Sequence, residues 1–322
     1  MGILVTGLIN HVQNIPLHMK LCCGHVRNKQ TITTKPRQPQ LRDLTAKARL
    51  PVHTYSKVYH ACNSFLTNMG SFLSMIFAPL YTPYTVLAAE LERLEESRAV
   101  SLLDAQFKAA KLFTEIEHTL IRPGITESQL SNEIFDLGNK LFNLSNLKDY
   151  WHKRVVRSGP NTLHPYSANL ADRTIGEDDI LFIDLGPVFE KWEADFGRTF
   201  VLGKDPAKIK LRDSLQPVWN AAKACFDADP GMTGEQLFHI VQKLAKEAGY
   251  EHGGKHAGHL IGDLPHESIP NDKVTLYVTK GSKTKMRSRG KDGLLRHWIL
   301  EVHLVDRERD IGGFFEQLLT IG

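Results

Sequence analysis

Acidic residues are almost missing from the first part of the sequence. Before Glu90, Asp43 stands alone against nine lysine and arginine residues, whereas the whole chain of 322 residues has a net charge of +4. The positive charge therefore belongs to the leader, and the mildly acidic remainder does not indicate a nucleic-acid surface. We expect a basic leader over residues 1–90, disordered or poorly defined, followed by one catalytic domain over residues 91–322.

Cysteine and long apolar runs are also scarce. The chain has four cysteines, of which Cys22, Cys23 and Cys62 lie in the leader. A disulfide framework for the rest is thereby excluded, as is typical of a reducing compartment. Pro79 and Pro83 interrupt the apolar stretch at residues 65–89, so no membrane span is expected. We expect a cytoplasmic protein, with mitochondrial import through the basic leader as the alternative.

Helical periodicity starts at the end of the leader. Apolar spacing predicts a helix over residues 88–121, and Thr126 with Gln129 forms the capping-box pattern of a second helix that runs to about Phe142. The Pro-Gly-x-Thr pattern at Pro123 returns at Pro230, an interval of 107 residues, again after a helical stretch at about residues 207–228. This favours an internal duplication, with a common helix–turn–helix signature as the alternative.

Two aspartates interrupt an apolar stretch at residues 180–202, which predicts two strands joined at Glu190-Lys191. With a two-residue loop, Asp184 faces Gly197 and Asp195 faces Gly186. Both carboxylates then point to one face, roughly 7–8 Å apart, and the facing glycines leave space above them.

Buried carboxylates must be protonated, ion-paired or bound to metal, because an unpaired buried charge is costly. The hairpin alone leaves two interpretations open. One is a cluster of hard cations between the carboxylates, and the other is a pair of salt bridges to Arg198 or Lys191.

A second hairpin is expected if the duplication is real. Residues 299–305 and 313–321 are apolar and flank a polar turn, and each carries a lone carboxylate, Glu301 and Glu316. A loop centred between residues 308 and 309 places the two glutamates opposite each other. A nitrogen ligand would complete a metal site. Its candidates are His256, His259 and His266, which fall within eleven residues, and His164 before the first hairpin.

These motifs together resemble the pita-bread metallopeptidases, the family of methionine aminopeptidase, aminopeptidase P, prolidase and creatinase. The resemblance covers about residues 98–322 and includes the eleven-residue interval between the aspartates and the Gly-His-x-x-Gly pattern. It implies an α/β (α+β) pita-bread fold, with pseudo-two-fold duplicated helices on a curved, mostly antiparallel sheet. The five metal ligands of the family match Asp184, Asp195, His259, Glu301 and Glu316.

The resemblance also implies roles for these residues. Asp184 would chelate one metal ion, Asp195 and Glu316 would bridge both ions, and His259 with Glu301 would complete the other. The cofactors would be two divalent ions, Mn²⁺ first, with Co²⁺, Fe²⁺ or Zn²⁺ as alternatives. Attack of a metal hydroxide on the scissile carbonyl would then cleave the substrate.

Three further histidines are assigned less directly by the resemblance. His164 and His266 match the family's auxiliary histidines, which contact the substrate and stabilise the tetrahedral intermediate, and Glu301 matches the general base. His256 is either a helper or a surface histidine.

The implied activity is removal of N-terminal residues from peptides, by an aminopeptidase or an Xaa-Pro peptidase. A creatinase-like hydrolase of a small non-peptide C–N bond and an inactive binding module are the alternatives. We expect a peptide or small amide as partner and a possible homodimer, without nucleic acid or membrane.

The sequence departs from the family at two places. Val302 stands where methionine aminopeptidase has proline, and a basic segment lies at residues 273–291. That segment predicts either a solvated loop or a rim that attracts an acidic substrate.

Overall fold

The computed structural model describes residues 71–164, 166–263, 274–290 and 293–321. The first 70 residues of the predicted leader and the predicted auxiliary residue His266 lie outside the described residues. Across the described part of the chain, no helix is both long enough and apolar enough to cross a bilayer.

In the described part of the chain, four α-helices form the outer layer, and the three with predicted ranges match those ranges except at the first N-terminus. They are α1 (Ser71–Thr119), α2 (Glu127–Phe142), α3 (Pro206–Ala228) and α4 (Gly234–Glu247). Helix α1 begins 17 residues before the predicted start at Ala88. That first part contains Pro79 and Pro83, and because proline usually interrupts a helix, the predicted helix began only after them.

The helix pair α1–α2 is repeated by α3–α4 at the predicted interval. Thr126 and Gln129 cap α2 reciprocally, with the Thr126 backbone N–H donating to Gln129 Oε1 at 2.8 Å. Thr233 and Gln236 form the same capping box on α4, again at 2.8 Å. Both boxes satisfy N–H groups that a helix N-terminus leaves without partners. The internal duplication is therefore built into the local structure as well as the sequence.

The described residues form nine strands, which follow the same two-part arrangement. They are β1 (Val155–Ser158), β2 (Ile180–Leu185), β3 (Val188–Phe189), β4 (Trp192–Glu193), β5 (Phe196–Val201), β6 (Glu251–His252), β7 (Leu260–Ile261), β8 (His297–Asp306) and β9 (Ile311–Leu318). Seven of them form an antiparallel sheet in the order β1-β2-β5-β9-β8-β6, and β7 also pairs with β8. Strands β3 and β4 form the tip of the first hairpin.

Both hairpins have the predicted register. In the first, Asp184 pairs with Gly197, and the same register continues to Phe189 and Trp192 beside the Glu190-Lys191 turn. Glu190 has a φ of 62°, which the tight turn requires. In the second, Glu301 pairs with Glu316. Strands β5 and β9 join the two hairpins at the middle of the sheet.

One face of the sheet packs against the helices. Ile183 of β2 lies in a fully buried cluster with Leu112 and Ile116 of α1 and Leu130 and Ile134 of α2. On the second half, Trp219 of α3 donates its indole N–H to the carbonyl of Leu300 at 2.8 Å. Side chains alternate between the two faces along a strand. Asp184 follows Ile183 and Glu301 follows Leu300, so both carboxylates point to the face away from the helices.

Candidate metal centre

Three carboxylates form a row across the middle of the sheet. Asp184 lies opposite Gly197, Gly197 lies opposite Glu316, and Glu316 lies opposite Glu301. Directly paired residues in an antiparallel sheet project to the same face. The hairpin registers and the β5–β9 contact therefore bring carboxylates from both halves of the chain to one place.

Asp195 adds a fourth carboxylate on the same face, two residues before Gly197. Its Oδ2 accepts a hydrogen bond from His259 Nε2 at 2.9 Å. Asp184, Asp195 and Glu316 are each 7% exposed or less, whereas Glu301 is half-buried. The structure therefore brings together all five residues that the sequence predicts as metal ligands. Among them, Asp195, His259 and Glu316 offer ligand atoms within 4.8 Å of one another.

His259 is positioned by an unusually close backbone approach just before β7. Gly258, with a φ of 135°, lies so near β8 that a Cβ atom there would be 2.0 Å from the carbonyl oxygen of Ile299. The His259 carbonyl accepts from the Ile299 N–H at 2.9 Å, and His259 Nδ1 donates to the carbonyl of Leu260 at 2.7 Å. This leaves Nε2 facing the carboxylates.

His152 belongs to the same cluster, and the sequence analysis missed it. Its Nε2 lies 3.2 Å from Asp195 Oδ1 and 3.5 Å from Asp184 Oδ1. The space expected above Gly186 is filled, because a Cβ atom there would be 2.3 Å from His152 Cδ2 and from Trp151 Nε1. The repeat offers the missing signal, since His152 precedes His259 by the 107 residues that separate the two Pro-Gly motifs.

The salt-bridge alternative for the two aspartates does not fit the described contacts. Arg198 lies between the rings of Phe196 and Phe315, 3.7 and 3.9 Å from their centroids. It donates to the carbonyl of Glu316 at 2.8 Å. Lys191 pairs with Asp263 on the surface. Both cations are therefore engaged away from the two aspartate side chains.

A cavity of about 530 Å³ lies elsewhere, between α1, β5 and α3, and is lined by Phe196, Arg198 and Arg212 among others. Phe196 and Arg198 alternate with Asp195 and Gly197 along the strand, so this cavity lies on the helix face of the sheet. The carboxylate face, and not this cavity, therefore holds the candidate catalytic residues.

Divalent metal ions fit the carboxylate cluster. Oδ1 of Asp184 is buried and accepts no hydrogen bond from the residues that the structure describes. Its ionic contact with His152 Nε2, at 3.5 Å, is longer than an ordinary hydrogen bond. A buried carboxylate oxygen without a hydrogen bond is costly unless a cation or proton neutralises it. Four carboxylates with imidazole nitrogens at their edge form a donor set suited to divalent ions such as Mn²⁺, Co²⁺, Fe²⁺ and Zn²⁺.

A comparison with known protein families shows the family to which this chain belongs. The profile of metallopeptidase family M24 matches residues 101–289. The chain belongs to metallopeptidase family M24. This confirms the family resemblance, and all residues of the carboxylate cluster except Glu301 and Glu316 lie inside the matched range.

Two Xaa-Pro dipeptidases are similar to this chain over part of its length. The Xaa-Pro dipeptidase of Pyrococcus furiosus is 29% identical over 145 residues, which are 44% of this chain and 41% of that protein. The Xaa-Pro dipeptidase of Lactobacillus delbrueckii is 29% identical over 180 residues, 55% of this chain and 47% of that protein. The matches thus span about half the length of these relatives or less.

Solved structures confirm the pita-bread fold. The prolidase of Thermococcus sibiricus aligns with a TM-score of 0.56 at 19% identity, over 70% of this chain and 57% of that one. The methionine aminopeptidase of Rickettsia prowazekii aligns with a TM-score of 0.52 at 15% identity, over 69% of this chain and 92% of that one. At this identity the likeness shows the fold alone, an antiparallel sheet covered by duplicated helix pairs.

The predicted auxiliary histidines are only partly covered by the described residues. His164 is exposed at the end of a 3-10 turn, Gly159–Leu163, and His266 lies outside the described residues. His256 stacks on the ring of Tyr277 at a centroid distance of 4.4 Å. The roles of His164 and His266 stay predictions.

Two arginines of the basic segment at residues 273–291 bind other parts of the fold. Arg287 donates to the carbonyls of Phe226 and Asp229 at the end of α3. Arg289 pairs with Glu95 of α1 and donates to the carbonyl of Gly293. These two cations connect the segment to the helices, which favours a structural loop over a substrate-attracting rim.

Burial and neighbouring charges set the protonation of the metal-free cluster. Burial raises the pKa of Asp184 and of Glu301 to about 7, and burial together with the other carboxylates raises the pKa of Glu316 well above its usual value. Burial also opposes ionisation of Asp195, but His152 and His259 outweigh it and lower the pKa of Asp195. Metal binding must therefore displace protons from this cluster.

The raised carboxyl pKa values predict an unusual pH dependence of stability. A carboxyl group whose pKa is higher in the folded state stabilises the fold below its ordinary pKa, and this contribution is lost as pH rises through the folded value. Metal-free protein should therefore lose stability relative to the Asp184→Asn variant between about pH 4 and pH 7. Each pKa unit corresponds to about 1.4 kcal/mol, so the difference should reach a few kcal/mol.

Chemical denaturation of both chelator-treated proteins at pH 4.5, 6.0 and 7.5 measures this difference. Asp263→Asn, an exposed aspartate, provides the control. A stability difference between wild type and Asp184→Asn that is constant across this range would contradict the assigned pKa.

Proposed function

We propose that this M24 protein is a dinuclear-metal peptidase that removes N-terminal residues from peptides, with a preference for substrates that contain proline. The observation that carries the proposal is the convergence of Asp184, Asp195, His259, Glu301 and Glu316 on one face of the sheet. The names of the relatives, Xaa-Pro dipeptidase among them, support the proline preference.

All five predicted ligands would hold the metal ions, and Glu301 would also transfer a proton. Asp195 and Glu316, both buried, occupy the middle of the cluster and would bridge the two ions, with Asp184 on one ion and His259 with Glu301 on the other. When bound, the divalent ions supply Lewis-acid polarisation of the scissile carbonyl and lower the pKa of an attacking water. Glu301 as a residue is less deeply buried than Asp184, Asp195 and Glu316, and we assign the proton transfer to it.

Glu301 is the proposed general base. Glu301 matches the general base in the family resemblance, and it lies opposite Glu316 on the carboxylate face. It would accept the proton of the attacking water and deliver it to the leaving amine. His164 and His266 are proposed to donate hydrogen bonds to the oxyanion that develops on the substrate.

Peptide cleavage by the full 322-residue chain tests this function. We would load the protein with Mn²⁺ and incubate it with Met-Ala-Xaa and Xaa-Pro-Xaa tripeptides and with Xaa-Pro dipeptides. Mass spectrometry then identifies the products. Release of a single N-terminal residue ahead of proline is the expected result, and the Asp184→Ala, Glu316→Ala double variant should release none.

Other outcomes distinguish the alternatives. Release of methionine alone would replace the Xaa-Pro assignment by a methionine aminopeptidase. Protein that binds two ions but cleaves no peptide, while hydrolysing creatine, would establish the small C–N bond hydrolase. Absence of metal binding by correctly folded wild-type protein would leave the binding module as the remaining interpretation.

A further inference from the structure

His152 lies close enough to the carboxylates of the cluster to bind a metal ion together with them. His152, Asp184 and Asp195 offer one ligand atom each, and the three atoms lie within 4.8 Å of one another. The imidazole Nε2 is 3.2 Å from Asp195 Oδ1 and 3.5 Å from Asp184 Oδ1. Two ligand atoms that each lie about 2.1 Å from an ion at right angles are about 3 Å apart. This spacing therefore suits the coordination sphere of one divalent ion.

The orientation of His152 repeats that of His259. His152 Nδ1 lies 2.7 Å from the carbonyl oxygen of the next residue, Lys153, as His259 Nδ1 lies 2.7 Å from that of Leu260. A carbonyl only accepts, so Nδ1 carries the proton in both rings and Nε2 faces the carboxylates. A backbone acceptor for the distal nitrogen is the usual second contact of a metal-bound histidine. The two rings face different oxygens of Asp195.

The internal repeat relates the two histidines. His259 follows His152 by 107 residues, and the same interval separates the capping threonines Thr126 and Thr233. Helices α2 and α4 begin at that interval as well, at Glu127 and Gly234. His152 is thus the first-half equivalent of His259, as Asp184 and Asp195 of the first hairpin correspond to Glu301 and Glu316 of the second.

The hairpin that carries both aspartates also fixes His152. The preceding residue, Trp151, donates its backbone N–H to the carbonyl of Gly186 at 2.9 Å and its indole N–H to the carbonyl of Ala194 at 3.2 Å. The His152 ring lies directly over Gly186, where a Cβ atom would clash with it, and its side chain is 7% exposed. The ring is thereby positioned before any ion binds.

We propose that His152 is a sixth protein ligand of the metal centre and binds through Nε2 the ion that Asp184 chelates. This inference rests on the metal-binding part of the proposed function but not on peptide cleavage. Each ion would then have one imidazole and one carboxylate of its own and would share Asp195 and Glu316 with the other. The imidazole of His152 would shift the preference of the ion site at Asp184 from Mn²⁺ towards Co²⁺ and Zn²⁺.

Metal titration of the full chain tests the proposal. Chelator-treated wild type, His152→Gln and His239→Gln would be titrated with Co²⁺ and with Mn²⁺, following calorimetric heat and the visible Co²⁺ spectrum. In His152→Gln we expect one of two sites to bind Co²⁺ roughly 10–100-fold more weakly, with a smaller loss for Mn²⁺ and an altered spectrum. His239 is exposed on α4, so its replacement should change neither quantity.

A second variant keeps the test decisive if His152→Gln folds poorly. His152→Glu supplies an oxygen ligand of similar reach and should retain two ions while binding Mn²⁺ in preference to Co²⁺ at the altered site. Unchanged Co²⁺ affinities and spectrum in a folded His152→Gln protein would overturn the proposal, even if KM rose. Wild type that binds two ions with the expected His152 dependence but cleaves no peptide would refute only the proposed peptidase function.

Discussion

Replacing Asp195 with asparagine is expected to abolish tight binding of both divalent ions and to lower kcat/KM by at least about 10³-fold. The two oxygens of Asp195 face different histidines, Oδ1 towards His152 at 3.2 Å and Oδ2 towards His259 at 2.9 Å. An asparagine offers one acceptor oxygen and puts an NH₂ donor in place of the other. A loss of 10³-fold corresponds to about 4 kcal/mol of transition-state stabilisation.

Calorimetric titration with Mn²⁺ and product release measured by mass spectrometry test this expectation together. The matched control is Asp263→Asn, since Asp263 is exposed and pairs only with Lys191 among its ionic partners in the described chain. The control should bind two ions with wild-type affinity. Asp195→Asn protein that still held two ions with wild-type affinity would show that Asp195 does not bridge them.

Replacing Gly258 with alanine should destabilise the fold by more than about 3 kcal/mol, the range of severe single substitutions. The added Cβ would lie 2.0 Å from the Ile299 carbonyl oxygen and 3.0 Å from its carbon. Both atoms belong to the backbone of β8, which cannot move aside without breaking its pairing with β9. The displacement would also withdraw His259 from Asp195, so residual folded protein should bind metal weakly.

Gly249→Ala separates this clash from simple backbone strain. Gly249 also has a positive φ, 91°, but a Cβ atom there would meet nothing within 4 Å. Its replacement should cost about 1 kcal/mol from the unfavourable backbone conformation alone. Urea denaturation of the two variants with wild type gives both values, and equal losses would disprove close packing at Gly258.

Local patterns accounted for the parts of the fold that are close in sequence. The registers of both hairpins followed from the two central turns, because loop length fixes which residues face each other. The capping-box pattern at Thr126 located the start of α2, and α4 begins at the same place in the repeated Pro-Gly-x-Thr pattern. The start of α1 at Ser71 was missed, since Pro79 and Pro83 lie inside the helix and proline usually marks a helix break.

The sequence alone predicted the duplicated helix pairs and the carboxylates that share a face in each hairpin, because capping, alternation and turn length are local. It indicated the lineage through the resemblance of its motifs to a known family. Only the tertiary structure decided that β5 and β9 join the hairpins through Gly197 and Glu316. It also decided that His152 completes the cluster. That residue follows α2 in a segment without regular period, so its place depends on packing against Gly186, a contact that no local pattern encodes.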